Sequence, residues 1–362
     1  MNRLVDFLMK REVEILVFGP TVENPEVNHK GEFVAVPSRP APGRPEYRLT
    51  TGFSTEAKEK LVRFDPDIVH LATPDVLGYR ALRWGVKNDK NIVSSYHTHF
   101  PSYLKYYKLQ WLEPLGWKYL RWFYRHCSQI FVPTPSMADE LIEQGIDKGL
   151  IIWARGVETG RFNPGNRSAE WRKKNGIQED DVVVLFVSRL VWEKNLKMYA
   201  DVCKSLRENH KNLKAVVVGD GPAADGLKKM LPDAIMTGFL KGENLATAYA
   251  SGDVFLFPSD TETFGSVTLE AMASGLPCVV ADAAGSKSLV KNGINGYKAE
   301  VNDFDMFREK VDELVSSRQK REEMGKNSLE IAKQYSWESI NGKLLNCYLE
   351  LLKQDGTCEY YT

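Results

Sequence analysis

Two glutamates, Glu262 and Glu270, are the residues of this chain most suited by type and spacing to chemistry at a binding site. They lie in residues 253–282, which read DVFLFPSDTETFGSVTLEAMASGLPCVVAD. Their spacing alone carries little weight, because glutamate is frequent in this chain and loop glutamates are usually solvated. The predicted structure around them gives the pair its meaning.

The flanking residues predict a strand–loop–helix–strand unit. Val254–Phe257 is predicted to be a buried strand, and Cys278–Ala281 a second one. A helix is expected to start near Ser266 and to stop at Gly275, before a proline. Such a unit builds a parallel sheet, and ligands of parallel sheets lie at the carboxyl ends of the strands.

The start of that helix is a predicted site for an anionic or hydroxyl-rich ligand. Glu262 lies in the preceding loop and Glu270 about one turn into the helix, so both can face one pocket. The backbone amides of Thr263, Phe264 and Gly265 are expected to point out of the helix start.

A pair of cations follows another predicted strand, Val182–Val187. The next residues read SRLVWEKNL and contain Arg189 and Lys194. Arginine suits phosphate through its bidentate fork, and lysine supplies a point charge. Two solvated surface cations are the alternative interpretation.

A histidine lies at the carboxyl end of a predicted strand in the first half of the chain. His97 opens the segment HTHFPSYLKYY after the strand Ile92–Tyr96. His97 and His99 would make a metal pair only with a third ligand, which the sequence does not show. The Asp65-Pro66-Asp67 segment lies at the amino end of a strand, where a turn explains it. We therefore predict no metal requirement.

The elements that position these residues belong to an α/β protein, because predicted strands and helices alternate throughout. A length of 362 residues suggests two domains. We expect domains at 1–160 and 161–335 and a closing helix and tail at 336–362. Pro37–Pro45 is expected to be a loop, and Ala154–Arg167 an interdomain linker.

Composition excludes several classes of protein. Lys plus Arg and Asp plus Glu balance at 48 each, which argues against a nucleic-acid partner. Five scattered cysteines fit a reducing compartment and no zinc site. We find no apolar run long enough for a membrane helix and no signal peptide.

The stretch FPSDTETFGSVTLEAMASGLPCV resembles the donor-site signature of retaining glycosyltransferases of family four, and the likeness covers nearly the whole chain. The segment Tyr96–Tyr107 is most similar to the branch of sulfoquinovosyltransferases and GDP-mannose-dependent mannosyltransferases. The resemblance implies the GT-B fold, in which two Rossmann-like domains face each other across a cleft and the last helix crosses back to the first domain.

The resemblance also implies roles for individual residues. The catalytic residues would be His97, beside the transferred sugar and the acceptor, and Glu262, which would bind the sugar. The donor-binding residues are expected to be the following: Arg189, Lys194, Thr263, Phe264, Gly265 and Glu270. No cofactor is expected, because the nucleotide sugar is a substrate and fixed cations would hold the charge of its departing diphosphate.

The implied reaction moves a hexose from a GDP- or UDP-linked donor to a hydroxyl acceptor with retention of configuration. Without an obvious covalent nucleophile, we expect front-face attack, in which the departing phosphate oxygen takes the acceptor proton. Mannose is slightly favoured over sulfoquinovose. A nicotinamide-dependent dehydrogenase is the structural alternative, but its G-x-G-x-x-G motif is absent.

Residues 108–126 suggest a lipid acceptor as one option. They combine three tryptophans with tyrosines, leucines and basic residues. Such a segment can lie on a membrane surface, and packing in the protein core is the alternative. We expect a cytoplasmic protein, with peripheral membrane contact if this interpretation holds.

One departure from the family pattern concerns the start of the sequence. Members begin with a strand and a Gly-rich loop, whereas Met1 here stands close to the first helix. The opening strand and loop are expected to be missing, which leaves an inactive nucleotide-sugar-binding member as a further hypothesis.

Overall fold

The chain forms two compact units in the computed structural model. One unit comprises Met1–Ala154 together with Glu338–Thr362, and the other comprises Arg155–Trp337. The structure describes the following residues: 1–20, 29–41, 44–96, 111, 113–262, 264–283, 285–354 and 356–361.

The first unit alternates strands and helices, as the sequence predicts. Its elements up to residue 154 are α1 (Asn2–Met9), β1 (Leu16–Pro20), β2 (Glu32–Val36), β3 (Ser38–Ala41), β4 (Arg44–Thr50), α2 (Thr55–Phe64), β5 (Ile68–Leu71), α3 (Val76–Lys87), β6 (Asn91–Ser95), α4 (Glu113–Tyr124), β7 (Gln129–Val132), α5 (Pro135–Glu143) and β8 (Leu150–Ile152).

Three sheets occur in the described residues of this part of the first unit. Strands β5, β6, β7 and β8 form a parallel sheet in that order, and β1 pairs with β2 in parallel. Buried apolar side chains from β6, β7 and α4 pack together, including Ile92, Phe123 and Ile130. This core fixes the carboxyl end of β6, from which the segment with His97 continues.

The loop predicted at Pro37–Pro45 is wrong, because β3 and β4 pair there as an antiparallel ribbon. Proline is excluded mainly from central strands, where its missing N–H would break a ladder. In this two-stranded ribbon Pro40 pairs with Arg48, and the register shifts directly after it. The Arg48 guanidinium also donates to the Ser38 hydroxyl at 3.2 Å, which supports the pairing.

The second unit carries the predicted donor-site strands. Its elements are α6 (Ala169–Lys174), β9 (Val182–Val187), α7 (Leu196–Leu206), β10 (Leu213–Val218), α8 (Ala224–Met230), β11 (Ile235–Met236), α9 (Gly242–Ala250), β12 (Val254–Phe257), α10 (Ser266–Ala273), β13 (Cys278–Ala281), β14 (Gly296–Ala299), α11 (Phe304–Ser316) and α12 (Arg318–Lys333). The strands form one parallel sheet within the described residues, in the order β11-β10-β9-β12-β13-β14.

Three of the predicted strands, β9, β12 and β13, are confirmed at their expected bounds, and every residue in them is buried. Burial on both faces is typical of parallel strands covered by helices. Because β9 and β12 are neighbours, the loops that follow them lie at the same edge of the sheet.

The last helix, α13 (Trp337–Leu351), returns the chain to the first unit, to which residues 338–362 belong. Its apolar stripe is confirmed, since Ile340, Leu344 and Tyr348 are buried. The Gln129 side chain of β7 donates to the Cys347 carbonyl at 3.3 Å. No helix among the described residues is long and apolar enough to cross a membrane.

A disulfide between Cys347 and Cys358 was not expected from the scattered cysteines. It joins α13 to the segment that follows, which turns back along the first unit. There the Tyr361 amide donates to the Leu150 carbonyl of β8 at 2.7 Å, and the Tyr361 hydroxyl donates to Asp139 at 2.8 Å. The chain fold thus brings together two cysteines that sequence spacing does not pair.

Candidate active site

Lys194 and Glu262 meet at the carboxyl edge of the second unit's sheet. Lys194 follows β9 and Glu262 follows β12. The Lys194 ammonium donates to Glu262 Oε1 at 2.7 Å and to the Thr261 hydroxyl at 3.1 Å. Their side chains are 16% and 20% exposed, so the pair is largely sheltered but still reachable from solvent.

The loop after β9 is shaped to place Lys194 there. Residues Trp192–Lys194 form a single 3₁₀ turn, and Asn195 then adopts a left-handed conformation with φ of 53°. Asparagine tolerates this conformation better than most residues. The Asn195 amide donates to the Pro258 carbonyl at 3.3 Å, which ties this loop to the one after β12.

Arg189 lies in the same loop as Lys194, but it contacts a different partner. Its guanidinium is 3.6 Å from Glu193, and its side chain is 72% exposed. The structure therefore brings Lys194 to Glu262 while Arg189 stays at the surface. A role for Arg189 in binding an anionic ligand remains a prediction.

Gly265 is the residue at which the chain turns into helix α10. Its φ is 86°, and a Cβ built on it would lie 2.6 Å from the Ser286 hydroxyl. Both the left-handed backbone and the close approach favour glycine. No side chain caps the start of α10, so its first amide donors are available to a ligand.

Gly285, after β13, supports the loop that carries Glu262. Its amide donates to the Glu262 carbonyl at 2.7 Å. A Cβ at Gly285 would lie 2.3 to 2.4 Å from the backbone of Phe264. Gly285 was not among the predicted site residues, although a glycine shortly after the strand β13 was an available signal.

The other predicted residues of this loop differ in how much the structure says about them. The Phe264 ring is buried and packs near Tyr335, with ring centroids 6.3 Å apart, so only its backbone is placed to meet a ligand. Thr263 lies outside the described residues, and so does His97 of the first unit.

Glu270 sits one turn into α10 in a sheltered, acidic setting. Burial raises the pKa of Glu270 to about 7, and the negative charge of Glu158 acts in the same direction. The nearby Tyr249 hydroxyl opposes this shift, although it has no hydrogen-bond partner of normal geometry in the described part of the chain. Tyr249 and Glu158 come from distant parts of the sequence, and no local motif pointed to them.

These side chains suit a ligand that combines an anion with hydroxyl groups. Lys194 and the open start of α10 can meet negative charge. Glu262 and Glu270 can accept hydrogen bonds from hydroxyl groups, and a Glu270 with a pKa of about 7 is partly protonated near neutral pH. Among the residues described, no group of three or more His, Cys, Asp or Glu could hold a metal ion.

Two family models match the chain. Residues 1–161 match the model described as Glycosyltransferase Family 4, and residues 167–330 match that described as Glycosyl transferases group 1. These ranges correspond to most of the first unit and most of the second.

Curated relatives match over most of the chain. The sulfoquinovosyl transferase SQD2 of Arabidopsis thaliana is 33% identical over 95% of this chain and 68% of its own length. A GDP-mannose-dependent alpha-mannosyltransferase of Corynebacterium glutamicum is 35% identical over 81% of this chain and 69% of its own. The alpha-monoglucosyldiacylglycerol synthase of Acholeplasma laidlawii is 26% identical over 82% of this chain and 78% of its own.

A solved structure supports the fold. The crystal structure of a glycosyltransferase from Rickettsia africae ESF-5 aligns with a TM-score of 0.74, covering 97% of this chain and 93% of that one. Its sequence identity to this chain is 16%, so the likeness concerns the fold.

Proposed function

This chain belongs to the family 4 glycosyltransferases, which have the GT-B fold and transfer a hexose from a nucleotide sugar, and we propose that its donor binds at the carboxyl edge of the second unit's sheet. The observation that carries the proposal is the contact between Lys194 and Glu262 beside the uncapped start of α10. One cation and one carboxylate at a helix start match the two halves of the donor, its diphosphate and its sugar.

Lys194 and Arg189 receive the charge of the departing diphosphate. Glycosidic cleavage loads negative charge onto the phosphate oxygen, and fixed cations stabilise it at the moment when it develops. Lys194 is already held at the edge of the sheet. The Arg189 side chain is exposed, and in this proposal it moves to contact the diphosphate. We expect no metal requirement for this reason.

Glu262 and Glu270 bind hydroxyl groups of the donor. In this proposal Glu262 accepts hydrogen bonds from the sugar, and the amides of Thr263, Phe264 and Gly265 meet the neighbouring part of the donor. Glu270 lies deeper, next to Tyr249. Its raised pKa lets the carboxyl act as donor or acceptor near neutral pH.

The transfer proceeds on one face of the sugar, with retention. The bond between the anomeric carbon and the phosphate oxygen breaks while the acceptor oxygen bonds to the same carbon. The acceptor's proton passes to the departing phosphate oxygen, so no covalent nucleophile is needed. His97, two residues after the end of β6, lies beside the transferred sugar in this proposal and stabilises its positive charge through its neighbours.

Mannose from GDP-mannose is the donor sugar that we favour. The relative named as a GDP-mannose-dependent mannosyltransferase is 35% identical, and the sulfoquinovosyl transferase is 33% identical. Transfer of sulfoquinovose from a UDP-linked donor is therefore the second candidate. A chain that binds the donor without transferring the sugar is the third.

A lipid is the acceptor that we propose, with helix α4 as the membrane contact. The inner face of α4 is part of the first unit's core, through Trp117, Leu120 and Phe123. Its outer face exposes Leu115, which is 63% exposed, together with Lys118 and Arg121. Arg125, directly after the helix, is exposed as well. An exposed leucine beside cations suits the boundary between lipid headgroups and acyl chains.

The lipid proposal agrees with the name of one relative. That relative is named an alpha-monoglucosyldiacylglycerol synthase, which is a lipid-modifying activity.

Trp111, which is 75% exposed, adds an aromatic side chain to the exposed residues near α4. Tryptophan is favoured at membrane interfaces because its ring is apolar at one end and polar at the other.

Isothermal titration of the purified chain tests the donor assignment. GDP, UDP, GDP-mannose and UDP-glucose are titrated in the presence of a chelator, into wild type, Lys194→Ala and Glu270→Ala. Lys197→Ala is the matched control, because Lys197 makes a surface pair with Asp201. We expect one nucleotide to bind selectively and binding to weaken in both site variants only. A folded wild type that binds none of the four overturns the assignment.

A further inference from the structure

A chain of hydrogen bonds joins the last helix to the end of β6 in the first unit. The Tyr348 hydroxyl of α13 shares a hydrogen bond with Nδ1 of His70 on β5. The other ring nitrogen of His70, Nε2, shares one with the Ser95 hydroxyl at 2.5 Å. Ser95 is the last residue of β6, two residues before His97.

The sheet register explains why these side chains meet. His70 lies opposite Val93 in the parallel pair of β5 and β6. Successive side chains of a strand alternate between its faces, so Ser95 shares a face with Val93 and His70. Ser95 in turn lies opposite Phe131 of β7.

The side chains around this series of hydrogen bonds are mostly aromatic. The His70 ring lies 5.8 Å from the Phe131 ring and 6.2 Å from the Trp153 ring, measured between centroids. Ser95 and Phe131 are almost completely buried. Burying polar groups in such a setting costs free energy unless they are hydrogen-bonded.

The chemistry of the three side chains couples the donors and acceptors of the two hydrogen bonds. A neutral imidazole has one N–H donor and one acceptor nitrogen, whereas each hydroxyl can act as either. Burial raises the pKa of Tyr348, so its hydroxyl keeps its proton. When one hydroxyl donates to the neutral ring, the other nitrogen donates to the second hydroxyl, and the three side chains are fixed together.

We propose that His70 is a positioning residue for the glycosyl transfer, which it serves by locking the carboxyl end of β6 to α13. This inference rests on the proposed function, because His97 continues from that end of β6. The Tyr96 amide donates to the Phe131 carbonyl at 2.8 Å, so the backbone of β6 is held from the β7 side as well. Removal of these hydrogen bonds would loosen the carboxyl end of β6 while leaving the donor site of the second unit intact.

Matched substitutions of His70 separate this role from simple packing. His70→Gln keeps a polar group able to reach Ser95, and His70→Met fills a similar volume without it. Tyr348→Phe and Ser95→Ala each remove a single hydroxyl. His210→Met is the control, because His210 contacts Asp312 in the second unit.

We expect kcat for sugar transfer to fall roughly tenfold or more in His70→Met, Tyr348→Phe and Ser95→Ala. Donor affinity, measured by titration, should stay within about twofold of wild type in all three. His70→Gln should recover part of the lost kcat. Equal losses in His70→Gln and His70→Met, or a donor affinity that falls with kcat, would overturn the proposal.

Hydrogen exchange provides a readout that does not need activity. The amides of Val93–Tyr96 should exchange faster in the three damaging variants and remain protected in the control and, in large part, in His70→Gln. Unchanged protection of these amides in His70→Met also contradicts the proposal. A wild type that binds no nucleotide sugar counts against the proposed function instead, and the exchange result then still shows whether His70 holds the end of β6.

Discussion

The Lys194 ammonium lies 2.7 Å from a Glu262 carboxylate oxygen, although the two residues are 68 positions apart in the sequence. The contact connects the loops after β9 and β12, which are neighbouring strands. A cation at this place can respond to a phosphate on one side and to the carboxylate on the other.

Lys194→Ala should reduce sugar transfer by roughly 100-fold, the usual cost of removing one group that stabilises developing negative charge. Initial rates at saturating donor measure the effect, and Lys197→Ala is the control for loss of a surface lysine. Thermal unfolding should change little in either variant. Activity of Lys194→Ala within twofold of wild type would contradict the role of this residue.

Gly285→Ala should weaken donor binding, because the new Cβ would lie 2.3 to 2.4 Å from the Phe264 backbone and displace the loop of Glu262. Titration with the nucleotide identified above measures the change. Gly160→Ala is the matched control, since a Cβ there has no atom within 4 Å. If the two variants bind nucleotide equally well, the packing of Gly285 does not shape the site.

The stability of the second unit should fall as pH rises from about 4.5 to about 7. Glu270 has its pKa raised from 4.5 to about 7 by burial, so its protonated form favours the folded state. The full stabilisation is present below the pKa of Glu270 in the unfolded state. It is lost as pH rises through the pKa in the folded state, and the free energy of unfolding falls by up to about 3 kcal/mol.

Glu270→Gln should flatten this pH dependence, because the amide does not titrate. Denaturant unfolding between pH 4.5 and 8 measures the slope for wild type and variant. Glu243→Gln, at a carboxylate that is 74% exposed, is the control and should keep the wild-type slope. An unchanged slope in Glu270→Gln would show that another group titrates in this range.

Reduction of the Cys347–Cys358 disulfide should destabilise the first unit by roughly 2–3 kcal/mol, the value typical of a short loop. It should also speed hydrogen exchange at Tyr361, whose amide donates to Leu150. Cys358→Ser should reproduce both effects and make the protein insensitive to dithiothreitol. An equal response of wild type and Cys358→Ser to the reductant would place the sensitive group elsewhere.

Leu115→Glu should lower binding to vesicles that contain anionic lipid, because it puts a negative charge on the exposed face of α4 beside Lys118. Vesicle co-sedimentation at low and physiological salt measures the loss. Val62→Glu on α2 is the control, since Val62 is also exposed, at 54%. Equal vesicle binding by both variants would exclude α4 as the contact.

Much of the fold could be predicted because burial leaves a simple pattern in parallel strands. The continuous apolar runs of β9, β12 and β13 gave correct bounds. The end of α10 could also be predicted from Gly275. In the structure this glycine adopts a left-handed conformation, with φ of 78°, just after the helix. Lys194 and Glu262 could be assigned to one site because both follow strands of the same sheet.

The remainder depends on contacts that local patterns do not contain. Pro40 concealed the β3–β4 ribbon, because proline is also typical of loops. Cys347 and Cys358 pair only because the chain turns back after α13. Burial raises the pKa of Glu270, and Glu158 adds to the shift from a distant part of the sequence, so the raised pKa could not be read from the neighbouring residues.

The return of residues 338–361 to the first unit sets an order for folding during translation. Arg155–Trp337 leaves the ribosome as an uninterrupted stretch, so the second unit can complete its sheet while the chain is still growing. The contact between Tyr348 and His70 must wait for α13, although the strands β5 to β8 are synthesised well before it. The first unit therefore completes its packing only after the second has been synthesised, and a nascent chain from which residue 337 has just emerged could carry a folded second unit before α13 joins the first.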